Sequence, residues 1–95
     1  MHTFDAELWL YDGEAAWTFV TLPGELSDDI RAQTDGSRRG FGSVRVRVTV
    51  GATTWTTSVF PDAKRGAYLL PVKKDVRRRE GLEVGDRLEV ALEVL

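Results

Sequence analysis

GAYLLPVKKDVRRREGLEVGDRLEVALEVL, Gly66–Leu95, is the stretch on which the fold turns. It reads as a strand over Ala67–Val72, a basic helical turn over Lys73–Glu80, a corner, and a last strand over Arg87–Leu95. Pro71 marks the first change, because proline fits a helix's opening residues but cannot continue a ladder. Val76 and Leu82 anchor the turn inward, and Gly81 suits the left-handed position that ends a helix. Gly85-Asp86 makes the next corner. Beyond it Leu88, Val90, Leu92 and Val94 alternate with Arg87, Glu89, Ala91 and Glu93, the period-2 pattern of a half-buried strand.

Upstream, the chain supplies the sheet that this strand–helix–strand unit closes. Thr3–Tyr11 places Phe4, Ala6, Leu8 and Leu10 on one face and Asp5, Glu7, Trp9 and Tyr11 on the other. Asp12-Gly13 offers a tight hairpin turn, and Ala16–Leu22 is the return strand, with Trp17 and Phe19 expected on the apolar face. Pro23-Gly24 ends it. Glu25–Thr34 then reads as a short helix, with Leu26 and Ile30 at i, i+4 and Ser27, Asp28 and Asp29 near its start. Thr34–Ser43 is a loop. Val44, Val46, Val48 and Val50 share one face of the next strand, and Gly51-Ala52 turns it into Thr53–Phe60.

Six mostly antiparallel strands and two short helices in 95 residues describe one mainly β domain, 1–95, without repeats or an internal linker. Closing the sheet removes its unpaired edges, so a closed or split antiparallel β-barrel is expected.

Composition excludes several functions. Without cysteine there is no disulfide, thiolate metal site or thiol nucleophile. The single histidine, His2, sits beside the first methionine, so a His-dependent triad or a His/Cys zinc site lacks its parts. No secretory signal or bilayer-length apolar run is present, which points to a cytoplasmic protein without a membrane partner. Nothing calls for a cofactor. GFG at Gly40–Gly42 lacks the context of a phosphate-binding loop and reads as a turn. Asp28-Asp29 read as helix-start acids rather than metal ligands.

The net charge of −2 is unevenly spread. Residues 1–36 carry eight acids and one arginine, residues 37–82 eleven Lys/Arg and three acids, and residues 83–95 four acids and one arginine. Acidic and basic strands lying side by side would account for this by cross-strand pairing. The basic turn is harder to absorb. Lys73 and Arg77, like Lys74 and Arg78, fall at i, i+4 and repel by a few tenths of a kcal/mol unless an anion relieves them. Asp75, Glu80, Glu83 or an acid of the N-terminal hairpin would make this a solvated or paired face. A bound anion would make it a site. Among nearby aromatics, Tyr68 is the one expected to be partly exposed.

These residues resemble a family. F-x-A-x-L at Phe4–Leu8, Trp17, S-V-x-V-x-V-T-V-G at Ser43–Gly51, T-S-V-F-P at Thr57–Pro61 and the run Leu69–Glu93 look like the bacterial domain of unknown function 1905. The most specific part is Lys73, Arg77, Gly81, Leu82, Gly85 and Asp86. The resemblance implies a small split β-barrel, similar in architecture to the AbrB-type double-split, swapped-hairpin barrels. It implies no activity.

The expected function is therefore a non-enzymatic binding or accessory domain, monomeric or weakly dimeric. It would recognise a small anionic ligand or a protein partner through Lys73, Arg77, Arg38 and Arg39, with Tyr68 as an aromatic wall. Nucleic-acid binding through the same flank is the alternative, although a pI near 5.3 argues against a dedicated module. An enzyme comes third: its acids and bases would be carboxylates, Lys, Tyr and Arg, and Asp86 or another carboxylate buried in a cleft beside Lys73 would be its sign.

Overall fold

The computed structural model describes residues 1–11, 17–34 and 42–95, the Thr34 side chain excepted. Seven strands and two helices follow the chain in these residues: β1 His2–Glu7, β2 Trp9–Leu10, β3 Thr18–Thr21, α1 Gly24–Thr34, β4 Val44–Val50, β5 Thr53–Asp62, β6 Ala67–Pro71, α2 Lys74–Glu80 and β7 Arg87–Val94. All pairings are antiparallel, in the order β1-β7-β4-β5-β6-β3-β2. The two ends of that order, β1 and β2, are consecutive in the chain. The sheet therefore curls back on itself into a barrel that is closed but for one seam, beside Leu8.

The expected mainly β barrel is what forms, with one strand more than expected. The extra strand arises because Thr3–Tyr11 is not one element. β1 pairs with β7 as far as Glu7↔Arg87, whereas Trp9 and Leu10 pair with Phe19 and Thr18 on the other side of the barrel. Leu8, fully buried, is the crossing point. Its N–H donates to the Asp86 carbonyl and its own carbonyl accepts from the Gly85 N–H, both at 2.8 Å. The Gly85-Asp86 corner thus clamps the residue at which the chain changes partners. The Asp86 carboxylate accepts the Glu83 N–H at 2.8 Å and holds the corner's shape.

This switch corrects two sequence expectations. Leu10, expected on the core face, is exposed after the crossing. In β3 the buried phase is Thr18, Val20 and, just beyond, Leu22, so Trp17 and Phe19 lie on the outer face. A strand's side chains alternate with period 2, and a shift of one residue exchanges its faces.

The remaining strands behave as their alternation requires. Val44, Val46, Val48 and Val50 face inward from β4 and meet Val59, Leu88, Val90 and Leu92. Each such fully buried aliphatic contributes roughly 1.5–3 kcal/mol. The charge segregation resolves partly across the sheet: Arg47 on β4 faces Glu93 on β7 and donates to it at 2.8 Å. α1 covers β6, inserting Leu26 and Ile30 into the core. Ser27, fully buried, accepts the Tyr68 N–H at 3.0 Å and so ties the helix to the strand. No described helix is long and apolar enough to cross a membrane.

Candidate functional site

α2 is held at both ends, and this fixes where its cations point. At its start, Thr18 and Val72 exchange two hydrogen bonds. The Val72 N–H donates to the Thr18 carbonyl at 2.9 Å, and the Thr18 hydroxyl donates to the Val72 carbonyl at 2.7 Å. Lys73 follows in an extended conformation as the residue before the helix, not its first turn as expected. At the far end Gly81 adopts the left-handed conformation, φ 64°, and the Leu82 N–H reaches back to the Arg77 carbonyl at 2.8 Å. This is the six-to-one bond of a glycine-terminated helix. Glu80 accepts from the Thr53 hydroxyl at 2.6 Å, and Val76 is buried.

With both ends fixed, Lys73, Lys74 and Arg77 line one cleft of about 660 Å³. Its apolar lining comes from Leu10, Trp17, Phe60 and Val84, which are 52%, 55%, 42% and 51% exposed. Isolated exposed apolar side chains are ordinary on a protein surface, but a contiguous set in a concavity is the usual form of a binding site. No ion pair joins Lys73, Lys74 or Arg77 to a carboxylate of the described residues. Glu80 is occupied by Thr53 instead. Arg77 is half-buried, and its Nε is shielded from solvent with no hydrogen-bond partner among the described residues. A buried donor left unmade costs about 1–3 kcal/mol.

A second cleft, of about 730 Å³, adjoins the first and shares Trp17 and Phe60 with it. Tyr11, Phe19, Lys64 and Arg65 also line it. Its aromatic side is a braced cluster. Trp17 stacks on Phe19 at 6.3 Å and 20° between planes, and Phe19 lies 5.6 Å from both Trp9 and Tyr11. The Arg65 guanidinium sits 4.2 Å over the Trp9 ring, and the Trp9 indole N–H donates to Thr21 at 3.0 Å. Arg65 also donates to Asp62 at 2.6 Å. That hydrogen bond, the largest influence, holds the Asp62 carboxyl below its ordinary range, helped by the Lys64 and Arg65 backbone N–H groups and opposed by partial burial.

The residues expected at the site have separate fates. Lys73 and Arg77 converge on the first cleft, joined by Lys74. Arg38 and Arg39 lie outside the described residues. Tyr68, expected to be partly exposed as an aromatic wall, is instead fully buried. α1 lies over it, with Arg31 5.9 Å from its ring, and Trp17 and Phe60 supply the wall. Trp17, Phe60, Leu10, Lys64 and Arg65 are not among the site residues that the sequence suggests. Only the pairing of β6 with both β5 and β3 brings them together. Asp86, whose burial beside Lys73 would have indicated an enzyme, is exposed and bonded to the Glu83 backbone. Among the described residues no group of three or more His, Cys, Asp or Glu side chains is placed to hold a metal ion.

No curated protein matches the chain. A family model does, over residues 4–92, nearly the whole length, and its matched segments include the Leu8 crossing, both clefts' cations and the Gly85-Asp86 corner. The chain belongs to the domain of unknown function family DUF1905.

Proposed function

We propose that the chain is a non-enzymatic binding domain that takes an anionic group in the cleft lined by Lys73, Lys74 and Arg77, with the apolar part of the ligand against Trp17 and Phe60. The observation that carries this reading is the Arg77 guanidinium: half-buried on an apolar cleft, with its Nε unpartnered among the described residues. Guanidinium and ammonium donors form charge-assisted hydrogen bonds to carboxylate or phosphate, about twice as strong as neutral ones. The apolar lining lowers the local dielectric and strengthens them further. A small anionic molecule or an acidic group on a protein partner meets the same requirement.

The test is a thermal-shift panel of anionic metabolites on the purified chain. Binders are expected to raise the unfolding temperature, as any ligand specific for the folded state does. Replacing Lys73 and Arg77 together by alanine is expected to abolish those shifts while circular dichroism and the unliganded midpoint stay close to the parent's. A panel that shifts the parent nowhere removes the motive for the reading.

A further inference from the structure

The cations do not all stand at one end of the aromatic surface. Lys73, Lys74 and Arg77 flank the first cleft, Lys64 and Arg65 the second, and Trp17 and Phe60 belong to both. The two clefts are therefore one track, with exposed rings in the middle and positive charge on either side. Among the described lining residues Asp62 is the one carboxylate, and Arg65 pairs with it. A single small anion would use one end of such a track and leave the other unused. A chain that alternates negative groups with planar rings would use both.

We infer that the ligand of this track is a single-stranded nucleic acid, with a base stacked against Trp17 and phosphates taken by Lys73, Lys74 and Arg77 on one side and Lys64 on the other. The inference rests on the reading of the first cleft as a binding site and extends it. Trp17 suits a stacking role. Phe19 braces one side of its indole in a near-parallel stack, and the side chain is still 55% exposed. Base–aromatic stacking tolerates any sequence, because every base has a π face. Arg65 is already committed to Trp9 and Asp62, so its part is to keep the aromatic cluster rigid rather than to bind phosphate. The overall charge of −2 weighs against long-range attraction of a polyanion, but not against a local contact. At about 0.1 M salt the screening length is about 10 Å, so the local face governs the contact.

The experiment uses the purified chain and a fluorescein-labelled ten-residue oligothymidylate, read by anisotropy and tryptophan quenching from low to moderate salt. Binding is expected, with log affinity falling linearly against log salt at about −0.7 per phosphate, and a slope of about −2 or steeper for three or more contacts. Trp17→Ala is expected to weaken binding about ten-fold or more without changing that slope. Lys73→Ala with Lys74→Ala is expected to flatten the slope. Phe60→Ala, at the other shared residue, serves as a second aromatic variant, and each variant's unfolding midpoint confirms that it folds.

Thymidine monophosphate, an oligoglutamate of equal charge and the corresponding duplex are run alongside. Equal affinity for the monophosphate overturns the nucleic-acid assignment and leaves the small-anion reading standing. Equal affinity for oligoglutamate points to an acidic protein partner and overturns it too. Binding of duplex as tightly as single strand, or indifference to Trp17→Ala, also overturns it. Absence of binding to the oligonucleotide and to every anion of the metabolite panel removes both readings together.

Discussion

The Glu80 carboxylate occupies the space into which a side chain on Gly51 would project. Gly51 turns β4 into β5 at φ +58°, and the carboxylate above it is fixed by the Thr53 hydroxyl at 2.6 Å. A contact between one helix end and one hairpin turn therefore depends on a missing methyl group. Alanine at Gly51 must adopt a left-handed backbone, costing about 1–2 kcal/mol, and must push Glu80 off Thr53, costing about 1 kcal/mol more. Gly51→Ala is expected to lower the unfolding temperature by on the order of 10 °C. In a Glu80→Ala background the same substitution is expected to cost only its backbone part. Equal losses in both backgrounds, measured by urea unfolding, would show that the carboxylate is not the obstacle.

Ser27 and Asp28 are neighbours in the sequence, and substituting them should have opposite consequences. Ser27 is fully buried and accepts the Tyr68 N–H, which alanine would leave unmade inside the protein. Ser27→Ala is expected to destabilise by about 1–3 kcal/mol. Asp28 pairs with Arg31 at 3.2 Å on an exposed helix face, where such pairs contribute little. Asp28→Ala is expected to change stability by less than about 0.5 kcal/mol. Chemical denaturation of the two variants checks the contrast.

Asp62 provides a pH signature. Its carboxyl is held below the ordinary range by Arg65, so the folded protein binds this proton less readily than the unfolded chain. A depressed carboxylate adds stability that is fully present above the unfolded value, near 4, and is lost as pH falls through the lower folded value. In a carboxyl-detected NMR titration, Asp62 is expected to titrate below the ordinary aspartate range, and Arg65→Ala to raise it toward that range. A titration unchanged by Arg65→Ala would refute the assigned cause.

The sequence made some of this legible and concealed the rest for identifiable reasons. The alternation of Val44–Val50 and Leu88–Val94 permits one inward phase, and both strands adopt it. Gly81, Leu82, Gly85 and Asp86 carry their own backbone requirements, so the helix stop and the corner could be placed. Residues 17–22 admit two phases: Trp17 and Phe19 inward, or Val20 and Leu22 inward. The second wins because Thr18, the polar member of that phase, finds the Val72 carbonyl. That partner lies 54 residues away and leaves no local trace. The same holds for the site. Lys73 and Arg77 stood out because like charges at helical spacing repel unless a carboxylate or a bound anion relieves them. Trp17, Phe60 and Lys64 join them only through long-range strand pairing, and Tyr68 drops out because α1 folds over it.

Arg77 tests whether the cleft was shaped for stability or for a ligand. Its buried Nε makes no bond among the described residues, and its neighbours Lys73 and Lys74 carry the same charge. Methionine keeps an apolar stem in the cleft that Arg77 lines with Trp17 and Phe60, and removes the unpaired donor and the repulsion. A structural arginine would lose stability on this change through lost packing and pairing. An arginine held for binding would lose none, because function-bearing sites are commonly kept at a cost to stability. Arg77→Met is expected to leave the unfolding free energy unchanged or raise it by up to about 1 kcal/mol, while eliminating thermal shifts from anionic ligands. A loss above about 1 kcal/mol in urea unfolding would assign Arg77 to the fold and leave Lys73 and Lys74 as the cleft's anion-binding cations among the described residues.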